Sequence, residues 1–199
     1  MNKKLLFIFL LFSSPFVWWN LFKPATFFSE VSQLPHYLVN QRKSIFSEKK
    51  IKYINDARWY SLTPILGRFF FNKLYLIPDE VFYGLQAISP HNFYSQSGLH
   101  NSTPKNTPAI PFILFPFTVS GLYQIIKTKR LTSIFIFFLT ALIPILTGQP
   151  DLFFLFPTLI VYLYFSYFSI KNLKNPHIFL LLLLLLFYNL FIVARINLL

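Results

Sequence analysis

The chain has 199 residues, 55% of them hydrophobic and 12% charged, against about 25% charged in an average soluble domain. It contains no cysteine, which excludes disulfides, thiolate metal sites and thiol nucleophiles. The net charge of +12 is spread along the chain without a nucleic-acid-binding motif, so it is assigned to anionic lipid and membrane orientation, with no nucleic acid as partner.

The first element is apolar from Leu5 to Phe22, behind a basic start at Lys3 and Lys4. A cleaved signal peptide shares that plan, but no small-x-small cleavage site follows Trp18 and Trp19. Residues 1–22 are therefore read as an uncleaved N-terminal transmembrane anchor.

Residues 23–108 read as an extracytoplasmic segment of short amphipathic helices and loop. Ser47 can cap a helix running to about Arg58, with Ile51, Ile54 and Ala57 on one face and Lys49, Lys50 and Lys52 around the rest. A second helix is expected from about Pro64 to Tyr75, with Arg68 and Lys73 among Leu66, Phe69, Phe70 and Leu74. A third begins at Pro78, Asp79 and Glu80, where the proline ring presets φ and the two carboxylates complement the helix dipole. Val81, Phe82, Leu85 and Ile88 form its apolar stripe. Basic, aromatic helices suit the headgroup layer, so the segment is expected to lie on the membrane and pack over the spans. From Ser89 to Pro108 the chain reads as loop. The glycosylation triplet at Asn101, Ser102 and Thr103 is short enough to arise by chance.

Residues 109–199 hold four apolar stretches: Ala109–Ile126, Leu131–Thr147, Leu152–Ile170 and Ile178–Ala194. None contains Asp, Glu, Lys or Arg. Each meets or approaches the roughly 20 residues needed to cross a hydrocarbon core about 30 Å thick. Lys3 and Lys4, the turn Lys127–Arg130 and the turn Lys171–His177 are basic, whereas the turn Gly148–Asp151 is not. The positive-inside rule then places the N-terminus in the cytoplasm and the C-terminus outside. The ten Lys and Arg of residues 23–108 are compatible with this, because long translocated segments are exempt. The expected fold is an all-α membrane protein of about five transmembrane helices, integral to the bacterial cytoplasmic membrane. Pro15, Pro111, Pro116, Pro144 and Pro157 shape the packing of the spans, and Gly121 beside Ser120 implies close helix approach.

Several segments carry a resemblance. They are Ser89–Ser102, then Ile110-Pro-Phe and Pro116-Phe-Thr-Val-Ser-Gly-Leu-Tyr123, then a span ending Pro144-Ile-Leu-Thr-Gly148 and one containing Pro157. Upstream, Ile54-Asn-Asp-Ala-Arg58 and Gly67-Arg-Phe-Phe-Phe-Asn-Lys73 add to it. Together they resemble the second half of bacterial integral-membrane glycosyltransferases of the C superfamily, related to protein mannosyltransferases and lipid A aminoarabinose transferases. The resemblance implies transfer of a sugar from a polyprenyl-phosphate carrier to an outer acceptor. In that family the general base is an acidic residue just after the first span. Here Glu30 alone stands near that place, without a supporting motif.

Asp79 and Glu80 imitate a catalytic acidic start but lie elsewhere in the family's architecture, and a helix N-terminus explains them; they remain weak catalytic candidates. By the same resemblance Arg58, Arg68, Lys73 and Lys105 are the cations available to a carrier phosphate, and His100 could meet substrate hydroxyls. Each also reads as an ordinary solvated or lipid-facing group. His36, His91 and His177 have no partner pattern, and neither metal nor cofactor is expected.

Two functions follow. One is a relative of the glycosyltransferases that is not catalytic alone, its partners a polyprenyl-phosphate-linked sugar and a complementary membrane subunit. The other is a noncatalytic membrane protein that packs against a partner or organises membrane lipid. No ionisable residue lies mid-span, so an ion or proton pathway has no wiring, and Arg195 can snorkel to the outer interface.

Overall fold

The computed structural model describes residues 3–45, 47–60, 63, 65, 67–68, 77–95, 103–104, 107–148 and 154–197, giving backbone alone for 26, 27, 30, 42–45 and 197. Among the described residues the chain is helical, with no strand.

The N-terminal apolar run forms two helices instead of one rod, α1 (Lys3–Phe12) and α2 (Pro15–Phe22), bent 69° apart. Three neighbouring residues account for the bend. Ser13 Oγ donates to the Leu10 carbonyl at 2.7 Å, Ser14 Oγ donates to the Ala109 carbonyl at 2.6 Å, and Pro15 has no N–H to continue the ladder. Because the Ser14 partner lies 95 residues away, the bend is tied to the rest of the molecule. Beyond it, Trp18 Nε1 donates to Asn189 Oδ1 at 3.0 Å, and Lys23 Nζ lies 4.1 Å from the centre of the Trp19 ring.

Helix α3 (Pro24–Ile45) carries Pro35 in its interior and occupies a stretch where no individual helix is expected from the sequence. Helix α4 (Glu48–Trp59) matches the expected bounds, and Ile54 is its buried residue. Ser47 stands at its start with extended backbone, and its carbonyl accepts the Ile51 N–H at 3.0 Å. Its hydroxyl makes no capping bond, contrary to the expected role. Of the helix expected over 64–75, Ile65, Gly67 and Arg68 are helical and the rest lies outside the described residues.

Helix α5 (Ile77–Ala87) begins where Pro78 and the two carboxylates predict. The face it packs inward is different from the predicted stripe. Phe82 is 71% exposed, whereas Gly84 and Ala87 are buried. A Cβ on Gly84 would run into the Ile145 side chain and lie 2.7 Å from the Ala141 carbonyl oxygen. Small residues permit this approach; of the predicted stripe, Val81, Phe82 and Leu85 face outward, whereas Ile88, just past the end of the helix, is buried as expected.

The expected loop is interrupted by a one-turn helix, α6 (His91–Tyr94). Phe93 and Tyr94 are buried, and Ile110 N–H donates to the Phe93 carbonyl at 2.9 Å. Loop-forming residues flank two aromatic anchors, and burial of the anchors prevails over the local composition.

A 3₁₀ turn (Phe112–Leu114) leads into α7 (Phe115–Lys127), followed by α8 (Leu131–Thr140), α9 (Leu142–Thr147), α10 (Phe156–Ile170) and α11 (Asn175–Asn197). Helix α10 is the central element: Leu159, Leu163, Phe165 and Ile170 are fully buried. Gly121 of α7 lies directly against the Phe165 backbone, where a Cβ would collide with the carbonyl, as its place beside Ser120 implied. Helix α1 reaches α10 through an edge-on contact of Phe7 with Tyr167, ring centres 5.6 Å apart.

Among the described residues one helix, α11, is long and apolar enough to cross a membrane: Asn175–Ile196 has mean hydropathy 2.5 and is mostly uncovered. Helices α1 and α2 reach that standard only when taken together across their bend. The apolar stretches Phe112–Lys127, Leu131–Thr147 and Phe156–Ile170 are shorter.

Candidate functional site

Of the acidic candidates, Glu80 is the one held in a polar cluster. Its position in the first turn of α5 turns it toward α3 and α4. One carboxylate oxygen accepts from Gln41 Nε2 at 3.1 Å and the other from Lys50 Nζ at 3.1 Å. Gln41 Nε2 also donates to the Ile145 carbonyl at 3.2 Å. Four helices, α3, α4, α5 and α9, thus meet at one carboxylate and one carboxamide.

The cluster also finishes the end of α9. The last carbonyls of a helix have no partners of their own. Here Gln41 takes that of Ile145, and the Tyr83 hydroxyl donates to that of Gly148 at 3.3 Å. Gly148 itself has φ of 65°, the left-handed conformation that closes many helices, and returns its N–H to the Pro144 carbonyl at 2.8 Å. A Cβ there would strike the Gln41 side chain, so glycine is required twice over. Burial, and then the nearby Glu80 charge, raise the Tyr83 phenol above its ordinary range and keep it a neutral donor.

The other candidates do not converge on this cluster. Asp79 is exposed beside Glu80, and Arg68 is exposed. Arg58 Nη1 donates to Asn55 Oδ1 at 3.4 Å, one turn back along α4. The backbone at Glu30 is within α3, its side chain outside the described atoms. Lys73, His100 and Lys105 lie outside the described residues. Among the described residues, no three His, Asp or Glu come together as a metal-binding group would require.

Nothing in the sequence marks Gln41, Lys50 or Tyr83 as site residues, although Lys50 falls on the polar side of its helix. No spacing rule could have joined them: Gln41 and Lys50 stand 39 and 30 residues from Glu80.

A second polar system runs through the packed helices. The Tyr94 hydroxyl pairs with Thr118 Oγ1, which pairs with Ser166 Oγ at 2.6 Å. Thr158 Oγ1 donates to Thr140 Oγ1 at 2.8 Å, and the Tyr162 hydroxyl donates to the Ile88 carbonyl at 2.6 Å. Burial pushes the Tyr94 phenol up to about 12, with the hydrogen bonds to Thr118 and Ser166 acting the other way. These hydroxyls are satisfied by one another or by a backbone carbonyl, and they join α6, α7, α8 and α10. They resemble interhelical glue more than a reactive set.

Two apolar grooves flank the bend between α1 and α2. One, of 330 Å³, lies over Phe16, Leu21, Phe28 and Phe156. The other, of 250 Å³, lies between Trp18 and Leu186, Asn189 and Leu190 of α11. No family model, no curated protein and no solved structure matches the chain.

Proposed function

We propose that the chain is an integral membrane protein with five crossing segments that acts as a noncatalytic partner or lipid-organising subunit, related in plan to the second half of polyprenyl-phosphate-sugar glycosyltransferases. The observation that carries the membrane reading is the surface of α11. Phe179, Leu180, Leu186, Phe187, Leu190 and Phe191 are each more than half exposed on a single helix. A soluble protein does not leave a helix of this length apolar on every side and uncovered. A buried core helix would be hidden, and a signal sequence would stand at the N-terminus; α11 is neither.

The four other crossings are formed by α1 with α2, by the 3₁₀ turn with α7, by α8 with α9, and by α10. Their shortness requires local thinning of the bilayer or an interfacial lie for α2, each at modest cost. The noncatalytic reading is supported by the structural part Glu80 plays, each of its oxygens accepting from a donor on another helix.

Absence of cysteine from the chain makes the topology directly testable. Single cysteines at Thr128→Cys and Asn172→Cys are expected to react with an impermeant thiol reagent from the cytoplasmic side, and Ser47→Cys and Asn197→Cys from the other. Labelling of all four from one side would overturn the five-segment scheme. Purified protein is expected to transfer no sugar from a polyprenyl-phosphate donor. Transfer that is abolished by Glu80→Gln would replace the noncatalytic reading with an enzymatic one.

A further inference from the structure

The three basic segments come together at one end of the bundle. The ring of Phe168, near the end of α10, has the Lys171 Nζ 3.6 Å from its centre and the Arg130 guanidinium carbon 4.9 Å from it. Lys171 also reaches Tyr167, at 5.7 Å. Tyr167 is the ring against which Phe7 rests, and Lys3 lies one turn before Phe7 on the same face of α1. Three cations from α1, the α7–α8 turn and the α10–α11 turn therefore surround one aromatic ledge.

Among the described residues no carboxylate answers them. All six Asp and Glu of the chain lie at positions 30, 48, 56, 79, 80 and 151. None is in α1, α7, α8, α10 or α11, and the one engaged in the polar cluster, Glu80, sits beside Ile145 at the far end of α9. The mutual repulsion is felt at Lys171, whose ammonium is held below its ordinary range by burial first and then by Arg130 and Lys3. The turn also carries Lys129 at φ 54°, where glycine would be relaxed, so a further charge is kept at this end at the expense of backbone strain.

The geometry points to a binding site for the phosphate of an anionic phospholipid, formed by Lys3, Arg130 and Lys171 over the Phe168 and Tyr167 rings. A guanidinium and two ammonium groups supply donors suited to phosphate oxygens. A lipid is favoured over a free phosphate by what adjoins the site. Leu131, next to Arg130, is 69% exposed, and Phe179, one turn into α11, is equally so. A headgroup held by the cations would lay its acyl chains along these uncovered apolar faces. The inference rests on the membrane reading proposed above.

The test is native mass spectrometry of the full-length protein in detergent, titrated with phosphatidylglycerol, phosphatidylcholine or glycerol 1-phosphate. Phosphatidylglycerol is expected to bind at least tenfold more tightly than phosphatidylcholine, and glycerol 1-phosphate at least tenfold more weakly than phosphatidylglycerol. The double variant Arg130→Gln with Lys171→Gln should lose most of the preference. The double variant Lys127→Gln with Lys174→Gln removes the same charge from exposed positions at the same end and should keep it. Arg130→Lys with Lys171→Arg should also keep it, which guards against a folding defect.

Equal losses in the two glutamine doubles would mean diffuse attraction and overturn the site. So would a wild-type protein without preference, or one that binds glycerol 1-phosphate as tightly as the lipid. Co-flotation with phosphatidylcholine vesicles separates the two claims. Protein that floats but shows no preference refutes the site alone, and protein that does not float refutes the membrane reading beneath it.

Discussion

Helices α7 and α10 touch through backbone, at Gly121 against the Phe165 carbonyl, and bury a hydroxyl pair between them. Helices α3 and α4 meet their neighbours differently. Most of their side chains are exposed, and one polar cluster around Glu80 ties them to α5 and the end of α9. The bundle is thus held by area and close fit spread over whole helices, and the outer layer by a few specific polar contacts. The first kind of contact fails only when helices separate, whereas the second can open locally while the bundle stays intact.

The largest test of this contrast is Gly121→Val. A branched side chain against a backbone carbonyl forces α7 from α10, and we expect a loss of about 3 kcal/mol, read as a lowered unfolding temperature in detergent. A variant that melts like the parent would show that the bundle does not depend on that approach.

Glu80→Ala should act next in size and in a different place. Stranding Gln41 and Lys50 costs about 1–2 kcal/mol, enough to raise local opening of α3 and α4 about five- to thirtyfold. Limited trypsin digestion at Lys49, Lys50 and Lys52 should then accelerate by that factor, with the melting of the bundle unchanged. Simultaneous loss of both would erase the distinction between the layers.

Lys129→Gly should stabilise the bundle by about 1 kcal/mol, because glycine adopts the left-handed conformation without a Cβ penalty. A lower melting temperature would show that the Lys129 side chain contributes more than its backbone costs.

The smallest effect is the pH response of Lys171. Its folded-state value lies below the ordinary 10.5, so between those two values the unfolded chain holds more protons than the folded one. Stability should therefore rise as pH climbs through that window, and Lys171→Gln should remove this contribution. A wild-type and a variant with parallel pH profiles would remove Lys171 as the cause.

Much of this architecture was legible residue by residue. The helix at Glu48–Trp59 followed from its apolar face and the start of the helix at Pro78 from proline and dipole chemistry, all of them local. The close approach at Gly121 followed from side-chain size. The helix over Pro24–Ile45 escaped, because Pro35 and a run of polar residues weaken the periodic signal. The stripe expected on α5 holds only at Ile88: bulk marks a core face in water, but along the helix Gly84 and Ala87 make the contact and Phe82 faces out. Of the candidate site residues, Glu80 was visible as a carboxylate at a helix start, while its partners were not.

Local chemistry alone determined that this chain is helical, where its apolar stretches begin and end, and that its basic residues fall in separate short segments. Those properties depend on neighbours within a few residues. Only the folded chain decided that Ser13, Ser14 and Pro15 make a 69° bend, that Gln41 and Lys50 converge on Glu80, and that Arg130 and Lys171 share the Phe168 ring. Those contacts join residues tens of positions apart, and periodicity, which reports the face of one helix, carries no information about which other helix that face will meet.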